Sequence, residues 1–584
     1  MSTEYINVAP LTIIGRLSSP FFTYSVPQEL SLSIGNLVLI PFGKRSIRGI
    51  VIEISKKKKF AYTVKPISRL LSNNIFLTGS QIKLTSSLSK TMGISQTSVL
   101  RFMLPQKITL KNKKFTIPKS KNIKKRNPNF NVVSGYTDKD IVKLISNKIN
   151  KTSTGQVLVL FPTLSRLEYA YKELKKKKIK KISIIHSTQT GSAFTNNYLS
   201  ILSNQTRVIF ALRNGPLLPF YNLEKVIVSD VSHSSYKQWD QSPFFDTREL
   251  LNHLAKIYKP KEIIIGTSYT TTILKQKIIE GTYKLFDEKP FPLEKIKIIP
   301  MQQTYTPVHD DILDIIKEKS DSNSAVIHNR TGIYRKFTCK DCDWTARCTN
   351  CSLPLIEHEK ELLCHRCEKK ETIPPFCPSC NSAHLKSFVP AISAIENFVL
   401  SEIKTTKKNL TFSTDSFLSA PLLPEYTTIV IVNADLELDY PSWDTSDIFL
   451  SKVAHLLYSL KPNGKLYIQT RNQERFIDLF TKSGLKKYEI NEHSIRKQFN
   501  YPPFSDLVLL SKKINKNEDE NLEKLKKTLE EKKINFYVYP NQTVSKKGIY
   551  QSILIKTDIH TKEWEYVVKD IPQDWSVNVH PHTI

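Results

Sequence analysis

The sequence predicts a multidomain α/β protein: a small N-terminal β domain, two β/α layers separated by a cysteine-rich insertion, and a C-terminal α+β domain. Three observations predict it. Apolar and polar residues alternate between turn signals over residues 1–55. Short buried apolar runs alternating with helical stretches occupy Val132 to about Leu285, and a second such layer follows residue 386. All eight cysteines crowd into 42 residues between the layers. The 584-residue chain has room for about three to five domains. Forty per cent hydrophobic residues suffice for real cores, which excludes a disordered chain. No apolar run approaches roughly 18 residues and no secretory leader pattern opens the chain. The expectation is a soluble cytoplasmic protein without a membrane partner.

Each element follows from local pattern. Turn signals at Ser18-Ser19-Pro20, Pro27, Gly35 and Pro41-Phe42-Gly43 divide the N-terminal strands. Ser80–Leu104 reads as a helix that Pro105 ends. The Lys-rich stretch with Pro118, Asn127 and Pro128 reads as a linker. Val157–Phe161, Ile182–His186, Arg207–Leu212, Lys225–Ser229 and Glu262–Gly266 read as buried strands, with helices at Leu164–Lys178 and Thr247–Tyr258. That pattern implies an open parallel sheet of nucleotide-binding type. Leu410–Phe412, Thr428–Asn433 and Lys465–Gln469 give the second layer. A charged helix, Glu518–Lys533, flanked by strands Phe536–Tyr539 and Tyr550–Lys556, gives a small α+β tail domain.

Charge points to a polyanion. The chain carries a net +32, and residues 1–131 hold 22 Lys and Arg against Glu4, Glu29 and Glu53, a net of +19. Uniform compositional drift toward Lys, Ile and Asn would not concentrate the excess there. Glycine supplies a negative: only 16 occur, and the spacing G-x-x-x-x-G-K-[ST] is absent, so a standard P-loop is excluded.

The cysteines form four hooks, Cys339-x2-Cys342, Cys348-x2-Cys351, Cys364-x2-Cys367 and Cys377-x2-Cys380. Two thiolates per hook let eight thiolates close two four-cysteine zinc sites. A disulfide framework fits poorly with a chain whose other residues include no cysteine, and regular hooks suit zinc better than an iron–sulfur cluster. Closed thiolate sites leave no open position for water, so the two zinc ions are structural. Spacing alone allows three pairings. A nested one, Cys339, Cys342, Cys377 and Cys380 outside and Cys348, Cys351, Cys364 and Cys367 inside, avoids forcing the first two hooks together.

The colinear order of several pieces resembles one family, PriA, the primosomal protein N′ of replication restart. Pro41-Phe42-Gly43-Lys44-Arg45 followed by Gly49-Ile50-Val51, with Pro20-Phe21-Phe22-Thr23-Tyr24 and Val64-Lys65, is similar to its 3′-end-binding domain. Ser234-Ser235-Tyr236-Lys237-Gln238 and Arg248, the hooks, Ala434-Asp435-x-x-Leu438, Tyr501-Pro502-Pro503-Phe504-Ser505 and Val577-x-Val579-x-Pro581 follow in order. The resemblance implies a 3′-end DNA-binding domain over 1–105 and a linker over 106–131 where the family's winged helix is missing. It implies two RecA-like helicase-type lobes, at 132–286 and at 287–338 with 387–485. The two-zinc insertion then spans 339–386, and an α+β domain spans 486–584. It also implies DNA contacts by Phe22, Tyr24, Lys44, Arg45 and Lys65. Stacking by Tyr236 and Trp239, with Lys237 and Arg248 on phosphate, would extend them.

The motor motifs depart from the family's ATP-dependent 3′-to-5′ helicase pattern. Its phosphate-binding loop appears as Val133-Ser134-Gly135-Tyr136-Thr137-Asp138-Lys139-Asp140, which places Asp138 and Asp140 where phosphate would sit. Its Asp-Glu-Glu-His appears as Asp230-Val231-Ser232-His233, without the carboxylate that orients water. Its arginine-finger segment appears as Lys452-Val453-Ala454-His455-Leu456-Leu457-Tyr458-Ser459, a loss worth about 10³–10⁵ in rate. Lys139, Asp230 and His233 are remnants, so ATP and Mg²⁺ are not expected to be turned over.

The expected function is recognition of forked or single-stranded DNA in replication restart, as a nucleoid-associated platform for loading the replicative helicase. The implied partners are primosome proteins, a helicase loader or the replicative helicase, and single-strand-binding protein. Two other readings stay open at this level: an active helicase with divergent motifs, and a zinc-ribbon RNA-binding factor.

Overall fold

The computed structural model describes residues 4–12, 21–55, 60–105, 115, 126–150, 155–177, 179, 182–238, 243–301, 306–319, 321–329, 337–339, 341–342, 344–349, 355–358, 361–363, 369–387, 392–404, 409–438, 442–513, 520–539, 543–545, 548–558 and 570–581. The chain divides into two compact units, Met1–Thr267 with Leu274–Glu288 and Thr557–Pro581, and Ser268–Ile273 with Lys289–Lys556 and His582–Ile584.

The first unit opens with β1 (Tyr5–Pro10), β2 (Phe22–Ser25), β3 (Asn36–Phe42), β4 (Arg45–Ile54) and β5 (Arg69–Ile75). They form one antiparallel sheet in the order β2-β1-β4-β3-β5. Ile6, Val8, Val38, Ile40 and Val51 lie buried on its inner face, which is the burial that the alternating sequence demands. Gly43, at φ +60°, opens the two-residue turn that sets Phe42 opposite Arg45. The stretch expected as one helix, Ser80–Leu104, is two: α1 (Gly79–Met92) and α2 (Gln96–Met103). Gly93, at φ +62°, ends α1 in the left-handed conformation and donates its N–H to the Ser89 carbonyl. A residue with a Cβ would lose roughly 1–2 kcal/mol there. Ser95 then caps α2.

Next comes a parallel sheet of β6 (Asn129–Ser134), β7 (Gln156–Leu160), β8 (Ile182–Ile185), β9 (Val208–Ala211), β10 (Leu223–Val228), β11 (Glu262–Thr267) and β12 (Lys284–Glu288), in the order β12-β6-β11-β10-β7-β9-β8. Every pair is parallel, so all strands end at one edge. The crossing helices are α3 (Asp138–Asn150), α4 (Leu164–Lys176), α5 (Gly191–Leu202) and α6 (Thr247–Tyr258), and α7 (Thr272–Ile279) follows β11. The layer begins at Asn129, three residues ahead of its expected start at Val132. Helix α1 packs on α6, and its buried Gln81 donates to the Tyr198 hydroxyl, which donates in turn to the Phe76 carbonyl.

In the second unit, β13 (Ile296–Pro300), α8 (Asp310–Glu318) and β14 (Ser324–Ile327) lead to the cysteine-rich segment. There β15 (Phe337–Cys339), β16 (Ile356–His358), β17 (Glu361–Leu363), β18 (Lys370–Thr372) and β19 (Leu385–Ser387) make two small antiparallel sheets. The chain continues through α9 (Ile392–Ile403), β20 (Leu410–Ser413), β21 (Tyr426–Ile431), α10 (Asp435–Leu438), α11 (Thr445–Tyr458) and β22 (Leu460–Thr470). A second parallel sheet results, in the order β13-β22-β21-β14-β20. After α12 (Gln473–Leu479) and α13 (Lys482–Gln498) come β23 (Ser505–Lys513), α14 (Glu520–Glu531), β24 (Phe536–Val538), β25 (Thr543–Ser545) and β26 (Gly548–Asp558). Strand β26 pairs antiparallel with both β24 and β25.

Candidate functional site

Three places in the fold concentrate functional chemistry. The first is an open groove of about 620 Å³ in the N-terminal sheet, lined by Phe21, Phe22, Thr23, Tyr62 and Lys65 among others. Register builds its polar floor: Asn7 on β1 lies opposite Thr23 on β2 and Glu53 on β4. The Thr23 hydroxyl donates to Asn7 Oδ1 at 2.9 Å, and Asn7 Nδ2 donates to Glu53 Oε2 at 3.0 Å. Its apolar wall includes Phe22, edge-on to Phe42 at 5.3 Å between centroids. Tyr62 is 61% exposed and leans on Phe60, which leans on Tyr5. Tyr24 is only 5% exposed and its hydroxyl donates to the Pro41 carbonyl, so it is part of the groove's foundation, with no free ring face. Lys65 lines the groove, and Lys44 and Arg45 stand exposed at the β3–β4 turn.

Sequence reasoning missed Tyr62, Asn7 and Glu53. Tyr62 follows the Lys56–Lys59 run, which lies outside the described residues, and carries no motif. The Asn7–Glu53 contact joins positions 46 residues apart and exists only through strand register.

The second place is the sheet edge where β6, β7 and β10 end, the position at which doubly wound sheets bind ligands. Asp138, the first residue of α3, is buried, and so is Asp230, which follows β10 in a left-handed conformation at φ +48°. Between them lies Arg166 in the first turn of α4, fully buried. Its Nε donates to Asp138 Oδ2 at 2.7 Å and its Nη2 to Asp138 Oδ1 at 3.0 Å. Its Nη1 donates to Asp230 Oδ2 at 2.9 Å. Ser229 adds a second donor to Asp138 Oδ1, and Ser232 donates to the remaining oxygen, Asp230 Oδ1. Burial pulls the guanidinium toward deprotonation, yet the two carboxylates outweigh it and hold its pKa above the ordinary value. Asp140 accepts from the Thr137 N–H and hydroxyl, at 2.9 and 2.6 Å, and Thr137 accepts from the Asp140 N–H. The N-terminus of α3, the natural phosphate cradle, is thereby capped by its own side chains. Lys139 points outward as an exposed residue. His233 caps the short turn after β10 by accepting from the Ser235 N–H.

The third place is the cysteine-rich segment. The Sγ atoms of Cys339, Cys342, Cys377 and Cys380 all lie within 4.8 Å of one another. A tetrahedral zinc with Zn–S of about 2.3 Å needs S···S near 3.8 Å, so these four thiols fit one ion. Cys339 and Cys380 approach to 3.5 Å, as do Cys342 and Cys377. The N–H groups of Asp341 and Ser379 donate to the Cys339 and Cys377 sulfurs, as hook loops around a metal do. A backbone donor from Trp344 favours the Cys342 thiolate, while the Cys342 side chain in turn pushes the Cys380 thiol the other way, so one proton is shared within the cluster. Cys348 is buried with Phe337, Ala346, Leu355 and Leu362. Cys351, Cys364 and Cys367, the rest of the expected inner site, lie outside the described residues.

Known proteins bear on these sites in two ways. The family model for the PriA 3′DNA-binding domain (3′BD) matches residues 13–105, the segment that carries the open groove apart from Asn7. Two curated relatives named Replication restart protein PriA match at 24% identity. The one from Borreliella burgdorferi aligns over 531 residues, 79% of this chain and 79% of the relative. The one from Rickettsia conorii aligns over 546 residues, 82% and 83% respectively.

The chain is thus similar to the PriA family, over residues 13–105 by the family model and along most of its length by these relatives.

Among solved structures, RecG bound to a three-way DNA junction is similar at a TM-score of 0.36 and 9% identity, over 72% of this chain and 50% of that one.

Several of the expected DNA contacts are placed elsewhere. Tyr236 is fully buried, with its hydroxyl donating to the carbonyls of Leu160 and Ser229, so it has no ring face for a base. Lys237 is 1% exposed and donates to the carbonyls of Phe244 and Val579, at 2.8 and 2.6 Å. Burial lowers its pKa to about 8. Its ammonium therefore serves the core and not a phosphate. Arg248 holds Asp246 with two hydrogen bonds, which neutralises its charge locally. Trp239 lies outside the described residues. Leu456 and Ser459 stand where the family places its arginines, and α11 turns both into the core. Lys452 on the same helix is buried against Asp415 and Glu437.

Proposed function

We propose that this PriA-family protein recognises forked or single-stranded DNA by its terminal nucleotide and serves as a nucleoid-associated platform for loading the replicative helicase, without hydrolysing ATP. The open groove beneath Tyr62, which apart from Asn7 lies inside the segment matched by the 3′DNA-binding domain, carries the reading. Its chemistry suits a terminal nucleotide. Tyr62 and Phe22 offer apolar faces to a base, and Lys65, Lys44 and Arg45 offer cations to the adjoining phosphates. Among the described residues Glu53 accepts only from Asn7, so one carboxylate oxygen remains for a sugar hydroxyl. The family usually carries Asp where Thr23 stands. Here Thr23 orients Asn7 and the carboxylate comes from the neighbouring strand instead.

The closed nucleotide edge supports loss of the motor. A phosphate arriving at α3 would meet two carboxylates already matched by Arg166, and Asp230 has both oxygens engaged instead of free for Mg²⁺. The four clustered cysteines hold one structural zinc, and Cys348, Cys351, Cys364 and Cys367 hold a second. Together they make a rigid module on which a helicase loader, the replicative helicase or single-strand-binding protein docks.

One experiment tests the reading. Binding of forks ending in a 3′-hydroxyl or a 3′-phosphate is measured for the wild type and Glu53→Gln, with ATP hydrolysis followed in the same samples. The wild type should prefer the hydroxyl, E53Q should lose about 10- to 100-fold of that preference, as for a hydrogen bond to a charged group, and hydrolysis should stay at background. Fork-stimulated ATP turnover, or no preference in the wild type, would refute it.

A further inference from the structure

A second groove lies in the first unit, on the face where α1 packs against α6, and nothing described so far uses it. Its volume is about 340 Å³, and Lys83 and Lys90 from α1 and Lys256 from α6 line it. Hydroxyls of Ser86, Ser87 and Thr91 complete one wall. His253 supports the floor: it is buried on α6, and its Nδ1 sits 2.8 Å from the Ser87 hydroxyl, fixing that side chain at the helix contact. No carboxylate lines the groove. Among the described residues none of the three lysines makes an ion pair, although ion pairs hold other lysines of this unit, such as Lys148 and Lys176. Three exposed lysines line the same groove as serine and threonine hydroxyls, with no acid among the lining residues, a surface that suits an anion.

The dimensions say which anion. Lys83 and Lys90 are seven residues apart on one helix, about 10 Å along its axis. A free phosphate cannot touch both ends of that span. A nucleic-acid strand, whose phosphates recur every 3.4 Å or so of helical rise, presents several charges over the same length. Lysine ammonium groups act as flexible point charges toward such oxygens, without the planar fork that would select a single carboxylate.

We infer that the α1–α6 groove is a binding track for the phosphodiester backbone of the DNA whose end the N-terminal groove holds. The inference rests on the proposed DNA-binding function and adds to it a site for strand phosphates that does not depend on the terminal nucleotide.

The test compares the wild type, the triple variant K83Q/K90Q/K256Q, and a charge-matched control, K172Q/K175Q/K177Q, on the exposed face of α4 and its C-cap. Fork affinity is titrated between 50 and 200 mM salt, with 3′-hydroxyl and 3′-phosphate ends. All six lysines are exposed, and matching thermal unfolding confirms intact folds. Each neutralised phosphate contributes roughly 0.9 to the log–log salt slope. The groove variant should lose about 2 to 3 from that slope and bind more than tenfold more weakly at 100 mM salt, while its hydroxyl-over-phosphate preference stays unchanged. A slope equal to that of a DNA-binding wild type, or an equal loss in the α4 control, overturns this inference alone. A wild type without DNA affinity overturns it together with the proposed function.

Discussion

Arg166 supplies, as a covalently attached cation, what a metal and a phosphate site would otherwise require at the ends of β6 and β10. Two buried carboxylates without it would face each other across an apolar edge. Arg166→Met should therefore lower unfolding free energy by about 3–5 kcal/mol in urea, because it strands two buried anions. A loss below 1 kcal/mol would mean that water already reaches the pair. Lys237 provides a second residue-scale prediction. Its folded pKa, about 8, lies below the unfolded value of 10.5, because burial opposes the ammonium more than Asp246 and Glu249 favour it. Below pH 8 both states hold the proton and the full cost is present. Between pH 8 and 10.5 the folded chain has released a proton that the unfolded chain keeps, so stability rises with pH. The wild-type-minus-K237M difference should climb by about 3 kcal/mol over that window, and a flat difference curve would exclude a buried, depressed lysine.

At the scale of elements, the cysteine hooks were legible because chelation is local: x2 spacing brings two thiols together whatever surrounds them. The outer pairing of the first and last hooks is what the structure brings together, and the fold of β15 against β19 accounts for it, since Cys339 and Leu385 pair across that ladder. Bound zinc should number two per chain, and Cys339→Ser with Cys377→Ser should leave one. Chelation should melt the segment between β15 and β19, read as accelerated proteolysis there, with both parallel sheets intact. Loss of both ions in the double variant would reject the nested pairing, since Cys339 and Cys377 would then serve different sites. Helix α11 was legible only in part. The absence of arginine from its sequence was visible, but that Leu456 and Ser459 turn into the core follows from packing against β21 and β22 and not from any local signal. The single helix expected over Ser80–Leu104 divides at Gly93 because the apolar pattern continues across the left-handed cap, and periodicity alone does not register a bend.

For the whole molecule, the excess positive charge sits on the polypeptide that carries the two grooves. Residues 1–131 hold a net +19 of the total +32. Phosphate neutralisation without shape or end selection would favour any polyanion equally. A terminal-nucleotide groove should instead make forked DNA with a free 3′ end outcompete structured RNA at physiological salt, as read by competition anisotropy. Tighter binding of RNA would favour the zinc-ribbon RNA-binding reading. Among the described residues no helix is long and apolar enough to cross a membrane.

By itself the sequence determined the β/α alternation, the charge bias and the cysteine hooks, because periodicity, composition and short spacings are properties of neighbouring residues, and the departures in the motor motifs were what its resemblance to PriA implied. It also placed Asp138 and Asp140 where a phosphate would sit and Asp230 as a remnant, though not the cation that joins Asp138 to Asp230. Only the tertiary structure decided that Arg166 closes that edge, that Asn7 and Glu53 share a groove floor, that Tyr236 and Lys237 belong to the core, and that Lys83, Lys90 and Lys256 line one groove. Those outcomes join residues from different strands and helices, and which of them meet is set by sheet order, register and helix packing.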